Sequence, residues 1–251
     1  MLPSTNWDMR ILATGSKQQI EELNQDIKRD SRPHNCTVTF TGGKMYNSLA
    51  FLRSIDVALE LAGGLHYTSR LGVYLVEDDH LHHEDALLVM VDGFLFGKGG
   101  VHEKPDMVTM YDHPDKYVPK SVHLKPVSTC KNCGRLPGAP SDEANGCSST
   151  ALGLLRHWRG VRSTVMTWAV RGDRLQDVAD VIKRVAVGWK VIPSERQMFH
   201  QLHALNMTLV SCIPGAVTHV EPAMLSPLVD WHEIVKGHCT LGQICTNSSV
   251  Q

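Results

Sequence analysis

Apolar residues in this chain fall in two rhythms, and the switches between them mark out the elements. Ile11-Leu12-Ala13 is a short apolar run, which predicts a first strand from Arg10 that ends in a turn at Gly15. Residues 17–30 are polar apart from Ile20, Leu23 and Ile27, whose spacing of three and four puts them on one face of a helix. Pro33 stops that helix. Residues 36–40 predict a second strand, closed by Gly42-Gly43. Asn47 or Ser48 can cap a helix running to about Leu61, and Gly63-Gly64 ends it. Leu71-Gly72-Val73-Tyr74-Leu75-Val76 then predicts a buried strand that runs straight into Glu77-Asp78-Asp79. Strand, helix, strand, helix, strand predicts an α/β fold, a mainly parallel mixed sheet flanked by helices.

The second half keeps both rhythms. Residues 82–96 predict a helix with Leu87, Leu88, Val91 and Leu95 inward, ended by Gly97, Gly99 and Gly100. Residues 106–112 predict a strand. Residues 117–147 are rich in Pro, Gly and Cys and predict a long irregular insertion, of a length that usually carries function. Residues 161–170 predict a strand, and residues 171–187 an amphipathic helix with Leu175, Val178, Val181, Ile182 and Val185 apolar. Residues 194–205 predict a helix burying Met198, Phe199, Leu202 and Leu205, and residues 208–213 a strand broken by Pro214-Gly215. Residues 232–251 read as a tail. With no internal repeat, 1–251 is expected to be a single domain.

Composition narrows the class. Apolar residues make up 42% and charged residues 20% of the 251, as in a globular protein that works in water. No apolar run approaches the ~18 residues that span a bilayer. Residues 1–10 lack the basic-then-apolar pattern of a secretory signal, so a cytoplasmic protein is expected. Seven cysteines, an odd number, argue against a complete disulfide framework. With 25 basic and 26 acidic residues the net charge of −1 offers no global attraction to nucleic acid.

Three clusters carry candidate chemistry. Glu77-Asp78-Asp79 at a strand end repel one another unless a cation sits among them, and hard ions such as Mg²⁺ or Mn²⁺ take carboxylates together with substrate phosphates. Ligands of open α/β sheets bind at the carboxyl ends of strands. The bland reading is a solvated acidic turn. Arg156, Arg159 and Arg162 around Trp158 suit bidentate contacts to phosphate, or else form a solvated turn. Cys130-Lys131-Asn132-Cys133 has zinc-ligand spacing, with Cys147 a third thiolate and His123 or His157 a fourth. A structural Zn²⁺ in the insertion follows, or a non-enzymatic zinc-stabilised binding module. A zinc deaminase would use His82-His83-Glu84 with Cys130 and Cys133. Against it, Thr129 replaces the expected Pro, and residues 134–140 cannot form the helix that normally follows the cysteines.

Beyond these, a helix opening at Ser194-Glu195-Arg196, the strand at 207–213 and Pro214-Gly215-Ala216-Val217-Thr218-His219 follow one another. Together with Glu77-Asp78-Asp79 this order resembles nucleotide-sugar glycosyltransferases of the GT-A fold. A second similarity, to phage and bacterial glycosyltransferase-like proteins, lies in residues 111–117, His157-Trp158-Arg159, residues 163–167 and residues 225–231. The resemblance implies a metal-dependent transfer of sugar from a nucleoside diphosphate donor, UDP-sugars first, to an acceptor hydroxyl. It implies Asp79 and His219 as ligands of Mn²⁺ or Mg²⁺, and Glu195 as general base. Glu77, Asp78, Ser48 and Arg159 would bind the donor, and Tyr111, Asp112, His113 and Trp158 the acceptor. The relatives carry paired acids where this chain has Glu195 alone. The phage likeness implies hydroxymethylated pyrimidines in DNA as acceptor, in the host cytoplasm, with a surface or lipid-linked glycan as the alternative.

Overall fold

A computed structural model describes residues 8–13, 18, 21, 25, 35–40, 47–64, 72–98, 104–114, 117, 150–189 and 193–241. The chain runs β1 (Asp8–Ala13), β2 (Asn35–Phe40), α1 (Asn47–Gly64), β3 (Gly72–Leu75), β4 (His80–His82), α2 (Ala86–Phe96) and β5 (Met107–Thr109). It continues with β6 (Thr150–Leu152), β7 (His157–Val161), β8 (Trp168–Arg171), α3 (Leu175–Ala186), α4 (Glu195–Ala204), β9 (Leu209–Ile213), β10 (Val217–His219) and α5 (Trp231–Leu241).

This is an α/β fold around a mixed six-stranded sheet in the order β3-β8-β5-β9-β7-β6. Side chains alternate across it, as the pleat requires. Trp168 and Val170 face a core shared with α1, α3 and α4, where Phe51, Ile55, Val178, Ile182, Met198 and Phe199 meet. Ala169 faces the opposite layer, where Val89 and Met90 of α2 cover Val108, Trp158 and Val210. Two small pairs complete the strands: β1 with β2 in parallel, and β4 with β10 antiparallel. Between β1 and β2, Gln18, Glu21 and Gln25 are helical and exposed, the polar face of the helix expected there. Ile20, Leu23 and Ile27 lie outside the described residues.

Several expectations change. Within the six-stranded sheet only β5 and β9 run parallel; the other four pairings are antiparallel. The alternation of strand and helix stops at residues 150–171, which hold three strands with no helix between them; β6 and β7, joined by a short link, return antiparallel. The strand expected at 161–170 is interrupted between β7 and β8, where buried Thr164 donates its hydroxyl to Thr109 Oγ1 and buried Thr167 accepts from the Glu77 N–H. The expected tail contains α5, seated by Trp231, which is 3% exposed and donates its indole N–H to the Ser226 carbonyl at 2.8 Å. The helix expected from residue 82 starts at Ala86, since His80–His82 is a strand. Leu205, expected in the core, is 47% exposed, for α4 has already ended: Asn206 adopts a left-handed φ of 58°.

The buried face of α2 also differs from expectation. Ala86, Val89, Met90, Asp92 and Gly93 are buried, whereas Leu87 and Leu88 are 38% and 42% exposed. Gly93 sets this face. A Cβ there would lie 2.6 Å from Trp158 Cη2 and 2.8 Å from Val108 Cγ1. Asp92 beside it accepts from Trp158 Nε1 at 2.9 Å and from the Leu154 N–H at 2.7 Å. A glycine and an acid thus decide the orientation, and a count of leucines misses both. Gly93→Ala is expected to destabilise the protein by about 1–3 kcal/mol through overpacking. Urea unfolding checks this, and an unchanged midpoint would mean that α2 is not pressed against Trp158.

Candidate functional site

The acidic turn sits between β3 and β4 and is tied down on both sides. The Glu77 N–H donates to Thr167 Oγ1 at 3.1 Å. Thr109 Oγ1 donates to the Thr167 carbonyl at 3.2 Å and accepts from Thr164 Oγ1 at 3.0 Å. The end of β3, the end of β5 and the 162–167 connection are thereby locked together. On the other side β4 pairs with β10 in a register that sets His80 opposite His219, and the Val220 N–H donates to the Asp79 carbonyl at 2.9 Å. The Pro214-Gly215 turn makes this return possible. A Cβ on Gly215 would meet Ser226 Oγ at 2.7 Å and the Asp112 nitrogen at 3.1 Å, so only glycine lets the turn approach so closely. The N–H groups of Ala216 and Val217 then both donate to the Met110 carbonyl.

Asp79 is the centre of the result. Its Oδ1 is 2.8 Å from His80 Nδ1 and its Oδ2 is 3.1 Å from His219 Nε2. The Glu221 N–H donates to His219 Nδ1 at 3.0 Å, so Nε2 carries the proton that Asp79 accepts. Metal ligation through Nε2 therefore needs the other tautomer and release of that N–H. Ligand atoms of Glu77, Asp79 and His80 lie within 4.8 Å of one another. Burial pushes the Glu77 carboxyl up to about 7, and Asp79, Glu195 and Asp78 add to the effect, against a hydrogen bond from the Met166 backbone. Burial raises Glu195 too, opposed by nearby His113 and again by the Met166 backbone. The charge of Glu195, 118 positions after Glu77 in the chain, thus reaches the same turn. The carboxylate oxygens crowded here suit a hard divalent ion, whose charge would offset the burial and the repulsion that now raise Glu77.

The other residues singled out by sequence fall into two groups. Asp78 is exposed at the turn, and His113 stands half-buried with its ring 5.2 Å from that of Tyr111. The rest belong to the framework. Trp158 is fully buried on Asp92, which leaves no ring face for an acceptor. Tyr111 is 1% exposed and donates its hydroxyl to the Met224 carbonyl at 2.6 Å. Asp112 is fully buried, pairs with Arg159 and accepts from the Tyr117 hydroxyl at 2.6 Å. Its N–H donates to Ser226 Oγ at 3.2 Å. Ser48 is buried in the first turn of α1. Two of the three arginines of the cluster are also committed internally: Arg159 to Asp112, and Arg156 to Asp85 at 2.7 Å. The spacing of basic residues cannot reveal such partners, which arrive from distant segments.

Of the residues with zinc-ligand spacing, His82 engages both ring nitrogens, Nε2 with the Tyr74 hydroxyl at 2.7 Å and Nδ1 with the His80 carbonyl at 3.3 Å. Cys130, Cys133 and Cys147 lie outside the described residues. Sequence reasoning passed over His80 and Thr167. His80 carried one signal, its place directly after the third acid; Thr167 carried only its place in the similar stretch 163–167, and its contact spans 90 positions. No protein-family model matches the chain, and no curated protein matches it.

Proposed function

We propose that this end of the sheet is the donor site of a metal-dependent glycosyltransferase of GT-A type. One observation carries the reading: Asp79 ends the acidic turn with His219 Nε2 3.1 Å from its carboxylate, while the charge of Glu195, at the start of a helix, reaches Glu77 in the same turn. The order that resembles the family in one dimension closes into one locality in three. The similar stretch at 163–167 borders it through Thr167 Oγ1 and the Glu77 N–H, and those at 111–117 and 225–231 meet each other through Asp112 and Ser226.

Asp79 and Glu77 would hold Mn²⁺ or Mg²⁺, joined by His219 after its change of tautomer. Bound there, the ion supplies Lewis-acid neutralisation of the departing diphosphate. The chain's own residues do the rest. Exposed Asp78 meets the nucleotide. Glu195, its carboxyl raised by burial, takes the proton of the acceptor hydroxyl. Arg159 supports Asp112 and, through it, the chain on which His113 is mounted. The donor is a nucleoside diphosphate sugar, UDP-sugars first. Hydroxymethylated pyrimidine in phage DNA is the first acceptor to test, and a surface or lipid-linked glycan the second. Internal pairing of Arg156 and Arg159 removes part of the local attraction to a polyanion and favours the glycan arm. A cytoplasmic site of action fits this chemistry, and among the described residues no helix is long and apolar enough to cross a membrane.

The experiment is direct. The protein is incubated with a panel of nucleotide sugars, Mn²⁺ or Mg²⁺, hydroxymethylcytosine DNA and glycan acceptors, and products are identified by mass. No transfer and no donor hydrolysis across the panel would sink the reading. Metal content addresses the insertion separately. If Cys130, Cys133 and Cys147 form a structural site, the purified protein carries about one tightly bound zinc, and Cys130→Ser lowers the Tm before it alters turnover. Zinc-free protein with an unchanged Tm would make these ordinary thiols.

A further inference from the structure

Asp79 is gripped by two imidazoles, and the grips differ. His219 is on the rim, with its side chain 21% exposed and both ring nitrogens engaged. The His80 side chain is fully buried on β4, with Nδ1 2.8 Å from Asp79 Oδ1. Its Nε2 has no hydrogen-bond partner among the described residues. The rings of Tyr111 and His219 stand edge-on to it at 5.7 and 5.1 Å. Tyr111 is itself anchored through its hydroxyl, so the His80 ring is boxed in.

An ionised carboxylate only accepts, so His80 Nδ1 is the donor. For His80 to ligate a metal through Nδ1, that proton would have to leave and Nε2 would have to carry one. The result is a buried N–H without an acceptor, at a cost of about 1–3 kcal/mol. We infer that His80 is a positioning residue, whose Nδ1–H holds one oxygen of Asp79 and so turns the other toward His219 and the metal position. This rests on the metal-site reading above. Carboxylates that ligate metals are commonly held by such outer partners, and loss of one weakens metal binding about 10–100-fold.

Amide substitutions separate the two ring nitrogens. Asparagine places its amide nitrogen where Nδ1 sits, glutamine where Nε2 sits. Mn²⁺ affinity is measured by calorimetry on the full chain and on His80→Asn, His80→Gln, His80→Leu and Asp79→Asn, with thermal melts alongside. His80→Asn is expected to bind Mn²⁺ close to wild type, and His80→Gln and His80→Leu about 10–100-fold more weakly. All three lose the ring, so their melting temperatures fall together and do not account for the split. An Asn variant as weak as Leu, or a Leu variant as tight as wild type, overturns the inference. If Asp79→Asn binds as wild type, the metal reading has failed first. Should the variants not fold, nitrogen NMR of ¹⁵N-histidine-labelled wild type during a Mg²⁺ titration decides: His80 Nδ1 stays protonated, and its deprotonation on binding overturns the inference.

Discussion

Asp79→Asn is expected to abolish most metal and donor binding while leaving the fold intact. The substitution is nearly isosteric, and the Asp79 side chain is 45% exposed, so nothing collapses around it. The main-chain tie from Val220 to the Asp79 carbonyl is untouched. What changes is charge. An amide removes the anion that both imidazoles face and on which a divalent ion would depend. Lewis-acid stabilisation of a leaving diphosphate contributes several kcal/mol. Losing about 3 kcal/mol of it lowers the rate by roughly two orders of magnitude. Calorimetry with Mn²⁺, donor binding and turnover on the identified substrate pair are the readouts, with circular dichroism as the control for folding. A folded Asp79→Asn protein that turns over at the wild-type rate would remove Asp79 from the metal and leave the acidic turn a solvated surface feature.

The parts of this fold legible in the sequence were those set by local rules. Residues 171–187 repeat apolar positions at helical spacing, and α3 buries Leu175, Val178, Val181, Ile182 and Val185. The acids after Leu75 and the break at Pro214 are equally local, and β3 and β9 end close to them. What escaped depended on partners far along the chain. Leu87 and Leu88 look like core by hydropathy, yet Gly93 meeting Trp158 turns α2 the other way. Arg156 and Arg159 look like an anion site until Asp85 and Asp112 reach them from 71 and 47 positions away. Trp158 and Tyr111 look like an acceptor platform, but an aromatic ring with a polar handle is also what a core uses when an aspartate or a carbonyl can receive the proton. The site followed the same division. Glu77, Asp79, Glu195 and His219 stand out by type and order, whereas His80 acquires meaning only when β4 pairs with β10.

Glu195→Gln tests the architecture together with the chemistry. Glu195 and His219 are separated by α4, β9 and a turn, and the chain returns so that His219 meets Asp79 while the charge of Glu195 reaches Glu77. Their replacements should nevertheless behave differently. Glu195 opens α4 from a half-buried position, where burial raises its carboxyl and His113 lies near enough to oppose the shift. A base in that setting acts only as the acceptor hydroxyl loses its proton, so its removal is felt in the transition state. Glu195→Gln is expected to lower kcat by about 10²–10⁴-fold, with Mn²⁺ and donor affinity close to wild type. His219→Ala should do the reverse, weakening metal and donor binding before it slows chemistry at saturation. Titrating Mn²⁺ and donor separately against turnover resolves the two patterns. If Glu195→Gln weakens donor binding and leaves kcat intact, the carboxylate is a donor contact and the base must be sought elsewhere, with His113, whose charge reaches Glu195, a candidate. If neither substitution changes any of these quantities, the turn at the end of β3 is not where this protein does its chemistry.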